Sequence, residues 1–140
     1  MSQIQVRILS LVLPGRVPSK KNSRNAFLKR GRIFNIPSKQ YREWHKITSE
    51  FIPDEYKEQL SEVDKIVLQF WAPDRRAADL TNKAESIMDL LVDNKVIADD
   101  NWYVVNRVEI EFKGVDKESP RCQIDIYRKN TNVSNRLEQR

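Results

Sequence analysis

Ten residues from Val63 to Ala72, VDKIVLQFWA, set the strongest limit on the fold. They are dense in β-branched and aromatic side chains and stop at Pro73, which reads as a central strand. Soon after, Leu80, Ala84, Ile87, Met88 and Leu91 recur at a spacing close to 3.6 residues, which puts them on one face of a helix. A strand buried in mid-sheet and a helix with one apolar face must be stacked together, so the chain has to fold as helix on sheet.

The remaining segments fill in that frame. Ile4, Val6 and Ile8 alternate with Gln5 and Arg7, and the apolar run to Leu13 continues a first strand that Pro14 and Gly15 end. From Arg16 to Arg32 the chain reads as an acid-free basic loop carrying Arg16, Lys20, Lys21, Arg24, Lys29, Arg30 and Arg32, with a Gly31 turn leading into a short strand over 32–35. Phe27 in this loop either stacks on a base or packs inward.

Ser38 is a plausible N-cap for a first helix in which Tyr41, Trp44, Thr48 and Phe51 recur, ending near Ile52 before Pro53. Residues 54–62 read ambiguously. Val104 to Phe112 and Cys122 to Tyr127 alternate as two late strands joined by a turn containing Gly114 and Pro120. The order lacks regular strand-helix alternation. It predicts an α+β fold: one domain over residues 1–128, a mixed sheet with two main helices packed on it, and a polar, flexible tail at 129–140. Neither an internal repeat nor a P-loop nor a dinucleotide glycine pattern is present, which disfavours nucleotide-driven motors.

The 140 residues suit one domain with a modest core, since 39% are hydrophobic and 32% charged. A lone Cys122 gives no intrachain disulfide, and with a single His45 there is no Cys/His cluster for structural zinc. The chain reads as intracellular and cytoplasmic, with no segment able to span a membrane. His45 reads as structural, and Trp71 and Trp102 as core residues.

A net charge of +5 and a pI near 9.4 favour polyanionic partners. Against that background the segment from Asp79 to Asp100, DLTNKAESIMDLLVDNKVIADD, gathers carboxylates around one short helix. Asn82, Glu85, Ser86, Asp89 and Asp93 share its polar face, and Asp79 stands at its N-terminus, where a carboxylate also favours the helix dipole. Acids that repel phosphate become useful once they hold a divalent cation. Magnesium prefers oxygen ligands, and phosphodiester hydrolysis needs an activated water and charge relief at the phosphate. Asp79 and the pair Asp99 and Asp100 are the natural ligands.

These residues resemble the signature of the RusA-like Holliday-junction resolvases, small homodimeric endonucleases of bacteria and phages. The family pattern is D-x-D-N-x-x-K-x-x-x-D followed by D-D. Asp79, Asn82, Asp89, Asp99 and Asp100 fall on matching positions, Arg75 and Arg76 stand upstream, and looser likeness extends to PSKKN at Pro18–Asn22 and PSKQYREW at Pro37–Trp44. The resemblance implies a homodimer that uses magnesium, with manganese able to substitute, to cut four-way DNA junctions. It implies Asp79, Asp99 and Asp100 as metal ligands, with Asp79 and Asp100 catalytic; helical geometry adds Glu85 as a further ligand and catalytic residue, and Lys83 as a catalytic cation in place of the pattern's lysine. Lys20, Lys21, Asn22, Arg24, Arg75, Arg76 and Lys83 would then contact DNA.

Two positions depart from the pattern: Thr81 replaces its second aspartate and Glu85 its lysine. Residues 81 and 85 lie one turn apart, and side chains lean toward the N-terminus, so Glu85 could restore the missing carboxylate. Two rival readings stay open: a non-catalytic DNA-binding relative with a decayed site, and a nuclease directed at other branched or flap structures.

Overall fold

The computed structural model describes residues 5–19, 24–29 and 31–129, and the side chains at 24–29, 32–37 and 129 fall outside that description. The elements in order are β1 (Gln5–Pro14), β2 (Arg24–Lys29), β3 (Arg32–Pro37), α1 (Lys39–Ser49), β4 (Val63–Ala72), α2 (Leu80–Asp93), β5 (Val105–Val115) and β6 (Arg121–Lys129). A 3-10 turn at Asp54–Tyr56 occupies the segment that sequence left ambiguous. The expected α+β architecture is present: a mixed four-stranded sheet in the order β1-β6-β4-β5, two helices, and a separate β2-β3 hairpin.

β4 spans the residues expected of it and lies in the sheet interior, antiparallel to β6 and parallel to β5. Parallel neighbours need a crossover, and α2 supplies it between β4 and β5. The two late strands are therefore not hairpin partners as their turn suggested: β4 lies between them, and Gly114 is part of β5 rather than of a turn.

α2 buries Ala84, Ile87, Met88, Leu90 and Leu91 against one face of the sheet, where Ile66, Leu68, Ile124 and Ile126 are fully buried beside Leu9, Leu11 and Leu13. Each such aliphatic residue contributes roughly 1.5–3 kcal/mol by leaving water. Cys122 of β6 belongs to this core, 0% exposed, and burial pushes its thiol pKa upward.

Three local expectations change. A register shift between Arg7 and Leu9 in β1 breaks the alternation, so Val6 is 41% exposed while Leu9, Leu11 and Leu13 point inward. One extra residue in a strand exchanges its faces, which is why the phase read from Ile4, Val6 and Ile8 does not persist. The basic stretch is not all loop, because Arg24–Lys29 pairs with Arg32–Pro37, turning at Gly31 with φ +74. RNAFLK has no period-two alternation to mark it, and only the pairing partner reveals the strand. Finally, α1 stops at Ser49, so Phe51 lies beyond it and is 51% exposed. Ser38 does cap α1, its Oγ accepting from Tyr41 N at 3.1 Å. Of the tail expected over 129–140, Lys129 instead ends β6 and residues 130–140 lie outside the described residues; no described helix is long and apolar enough to cross a membrane.

Candidate active site and an adjoining cationic cavity

Asp79 caps α2. Its Oδ1 accepts from Thr81 N at 3.1 Å, Asn82 N at 3.4 Å and Thr81 Oγ1 at 2.8 Å. The cap follows from sequence: a carboxylate one residue before the first helical turn satisfies amides that have no partner within the helix. Thr81, the departure from the expected aspartate, thus fixes the Asp79 carboxylate through its hydroxyl.

One side of α2 presents Glu85, Asp89 and Asp93 at four-residue intervals, and α1 lies along it. Tyr41 Oη donates to Asp89 Oδ2 at 2.5 Å, His45 Nε2 meets Asp93 Oδ2 at 2.8 Å, and Asn94 Nδ2 donates to Ser49 Oγ at 2.9 Å. These contacts ascend both helices together, so the helices run side by side in the same sense. Burial and then the Asp89 contact hold the Tyr41 hydroxyl far above its usual pKa, and Asp93 and Glu85 push the same way. His45, read from sequence as structural, meets a carboxylate of α2. Ser86 departs from the solvated face assigned to it: it is fully buried and donates to Pro18 O at 2.6 Å.

Asp99 and Asp100 follow α2 in an exposed turn. Asp99 accepts from the Asp100 amide at 2.8 Å and from Asn101 Nδ2 at 3.0 Å, and those bonds lower its pKa. Asp100 shifts upward, first through partial desolvation, then through the adjacent Asp99, with Asp89 contributing. Negative charge therefore converges from Asp99, Asp100 and Asp89. Among the described residues, the three potential ligand atoms that come within 4.8 Å of one another belong to His45, Asp89 and Asp93, a group that excludes Asp79, Glu85, Asp99 and Asp100. Glu85 is exposed.

On the other flank of α2, Lys83 is half-buried. Its Nζ donates to Val17 O, and its pKa is lowered by burial and then by Arg16 and Arg76. With the Ser86–Pro18 bond, this ties the start of the basic stretch to the first turns of α2. Lys20, Lys21 and Asn22 lie outside the described residues, as does the Arg24 side chain. Arg75 and Arg76 are exposed, and Arg76 grips Asp74 through Nε at 3.1 Å and Nη2 at 2.9 Å.

Beside Lys83 a cavity of about 470 Å³ opens where the C-terminal ends of β4 and β5 meet the 73–80 segment. Trp71 lines it, half-buried, with the Arg121 guanidinium 4.0 Å from the ring centroid. Trp102 is not a core residue as expected: it is 80% exposed, and Tyr103 beside it 86%. The two rings contact each other, their centroids 6.1 Å apart.

Sequence reasoning missed the cavity, because its walls come from residues 15–17, β4, β5, β6, the 73–80 segment and Lys83 of α2 together. It also missed the Tyr41–Asp89 and His45–Asp93 ladder, although the matching four-residue spacing on both helices was a signal that could have found it.

Comparison with curated proteins gives no match. The family model described as Endodeoxyribonuclease RusA matches residues 14–127. That stretch contains α2, the carboxylates around it, β4, β5 and most of β6, and the chain accordingly belongs to the RusA endodeoxyribonuclease family.

Proposed function

We propose that the protein is a magnesium-dependent endonuclease that resolves four-way DNA junctions as a homodimer. The observation that carries this reading is the match of the RusA endodeoxyribonuclease family model to residues 14–127, with exposed carboxylates at Asp79, Glu85, Asp99 and Asp100 around α2 and cations gathered on its opposite flank beside Lys83. The donor set suits a hard divalent ion: it consists of exposed carboxylate oxygens, and the upward shift at Asp100 marks charge that a cation would relieve. Asp79, Asp99, Asp100 and Glu85 are the ligands we assign; within one protomer no three of them come within 4.8 Å of one another, and ten helical residues, about 15 Å, part Asp79 from Asp89. Magnesium supplies an activated water and charge relief at the scissile phosphate, and manganese can do the same.

The chain's own residues do the rest. The α2 cap keeps the Asp79 carboxylate in one orientation. Lys83, Arg75 and Arg76, together with Lys20, Lys21, Asn22 and Arg24, would hold backbone phosphates and position the strand without reading its sequence. A two-fold dimer matches a four-way junction, which presents equivalent strands to equivalent sites.

The group formed by His45, Asp89 and Asp93 favours an alternative metal position. Its atoms already satisfy one another and Tyr41, and the imidazole suits softer ions than magnesium, so we assign it to holding α1 against α2.

One cleavage assay tests the proposal: four-way, three-way and flap substrates, each with magnesium, manganese or EDTA. Symmetric nicking of four-way junctions only when metal is present is the expected result. Binding without cutting would identify a non-catalytic relative, and preferential cutting of flaps a nuclease for other branched DNA.

A further inference from the structure

The cavity beside Lys83 has the chemistry of a nucleotide site. Five cations line it, Arg16, Arg75, Arg76, Lys83 and Arg121, against a single acid, Asp74. Asp74 and Asp116 neutralise Arg76 and Arg121, which leaves the lining cationic. Its walls are nonetheless largely apolar, with Trp71, Phe112 and Leu80 among them. Phe112 is 58% exposed on β5, an expensive place for an aromatic ring unless something covers it. The volume falls in the range of about 300–1,000 Å³ usual for small-molecule sites. Such sites often lie outside the carboxyl ends of strands, as this one does.

A phosphate alone would explain the cations and leave the aromatic walls unused, whereas an apolar peptide would leave the cations unmatched. A nucleotide uses both, because its base stacks on aromatic faces while its phosphates meet arginine and lysine. From this complementarity we propose that the cavity receives one unstacked nucleobase of a DNA strand, against Phe112 and the Trp71–Arg121 pair, with its flanking phosphates on Arg16, Arg75 and Lys83. Asp79 lies between two lining residues, Ala78 and Leu80, so a base seated here belongs to a nucleotide close to the bond that is cut. Extruding a base is least costly where stacking is already broken, as at a branch point. The cavity would thereby add selectivity for branched DNA. This inference rests on the nuclease reading for its biological meaning, but not for its test.

The probe is thymidine 3′,5′-bisphosphate, compared with deoxyribose 3′,5′-bisphosphate, which lacks the base. Affinities are measured by calorimetry in EDTA on the full chain, as wild type, Phe112→Ala and Phe112→Tyr. The expected result is about tenfold tighter binding of the base-bearing probe, lost in Phe112→Ala and kept in Phe112→Tyr, with the ligand shifting the Trp71 indole NMR signal. Equal affinity for the two probes, or an undiminished preference in a folded Phe112→Ala, would overturn the proposal. A wild type that cuts junctions yet shows no base preference refutes the cavity assignment alone. One that prefers the base and cuts nothing supports the cavity and refutes the nuclease reading.

Discussion

Tyr41 and Asp89, 48 residues apart in sequence, share a 2.5 Å hydrogen bond that joins α1 to the acidic side of α2. Tyr41 is only 3% exposed, so its hydroxyl has few other partners available. Tyr41→Phe keeps the packing and removes the donor, and should cost about 1–2 kcal/mol in urea denaturation at pH 7. The difference should shrink at high pH. A tyrosine whose pKa is raised on folding contributes stability that is complete below the unfolded value of 10.0 and is lost as pH rises beyond it. The wild type should therefore lose stability above about pH 10 that the variant retains.

Asp79 serves as a cap and as a proposed ligand, and two substitutions separate these roles. Asparagine caps about as well as aspartate, so Asp79→Asn should fold with nearly unchanged stability, whereas Asp79→Ala should lose about 1 kcal/mol. Both should cut at least a hundredfold more slowly while still shifting a junction on a gel, since phosphate contacts elsewhere persist. Full cleavage by Asp79→Asn would leave the residue a purely structural cap.

The upward shift at Asp100 gives a test of metal binding that needs no DNA. A carboxylate whose pKa is raised on folding leaves stability intact below its ordinary value of 3.8 and lowers it as pH rises through the folded value. Asp100→Asn should therefore melt higher than wild type at pH 7 and match it below about pH 4. Manganese should raise the wild-type melting temperature at pH 7 and have little effect at pH 4. Asp100→Asn should lose this response at pH 7 and His45→Ala should keep it. The opposite pattern would move the ion to the group between the helices.

Glu85 carries the idea that a carboxylate was moved by one turn rather than lost. Glu85→Gln should reduce metal-dependent cleavage at least tenfold with unchanged folding, because the residue is exposed. Activity equal to wild type would remove Glu85 from the ligand set, leaving Asp79, Asp99 and Asp100. Thr81→Asp in the Glu85→Gln background should then restore cutting if a carboxylate at either position serves.

How much of this was legible beforehand depended on whether the deciding interaction was local. β4 was readable to the residue because its own composition and Pro73 bound it, and Ser38 and Asp79 were readable as caps because capping acts over three residues. β2 was hidden, since RNAFLK is short and shows no apolar-polar alternation, and it declares itself only through its partner β3. The phase of β1 was misleading because a register shift leaves no mark in composition. Asp99 and Asp100 could be named from their spacing after α2. The cavity walls at Trp71, Phe112 and Arg121 could not, since these groups meet only once β4, β5 and β6 are aligned.

Cys122 is sealed within the sheet with its thiol held protonated by burial. Alkylating dyes react with the thiolate and need access to it, so the native protein should stay unlabelled by maleimide. Any cysteine introduced on the surface, for example Tyr103→Cys, would then be the sole attachment point for a fluorophore or spin label. Distances between protomers, and between protein and a labelled junction arm, could be followed without first removing the natural thiol.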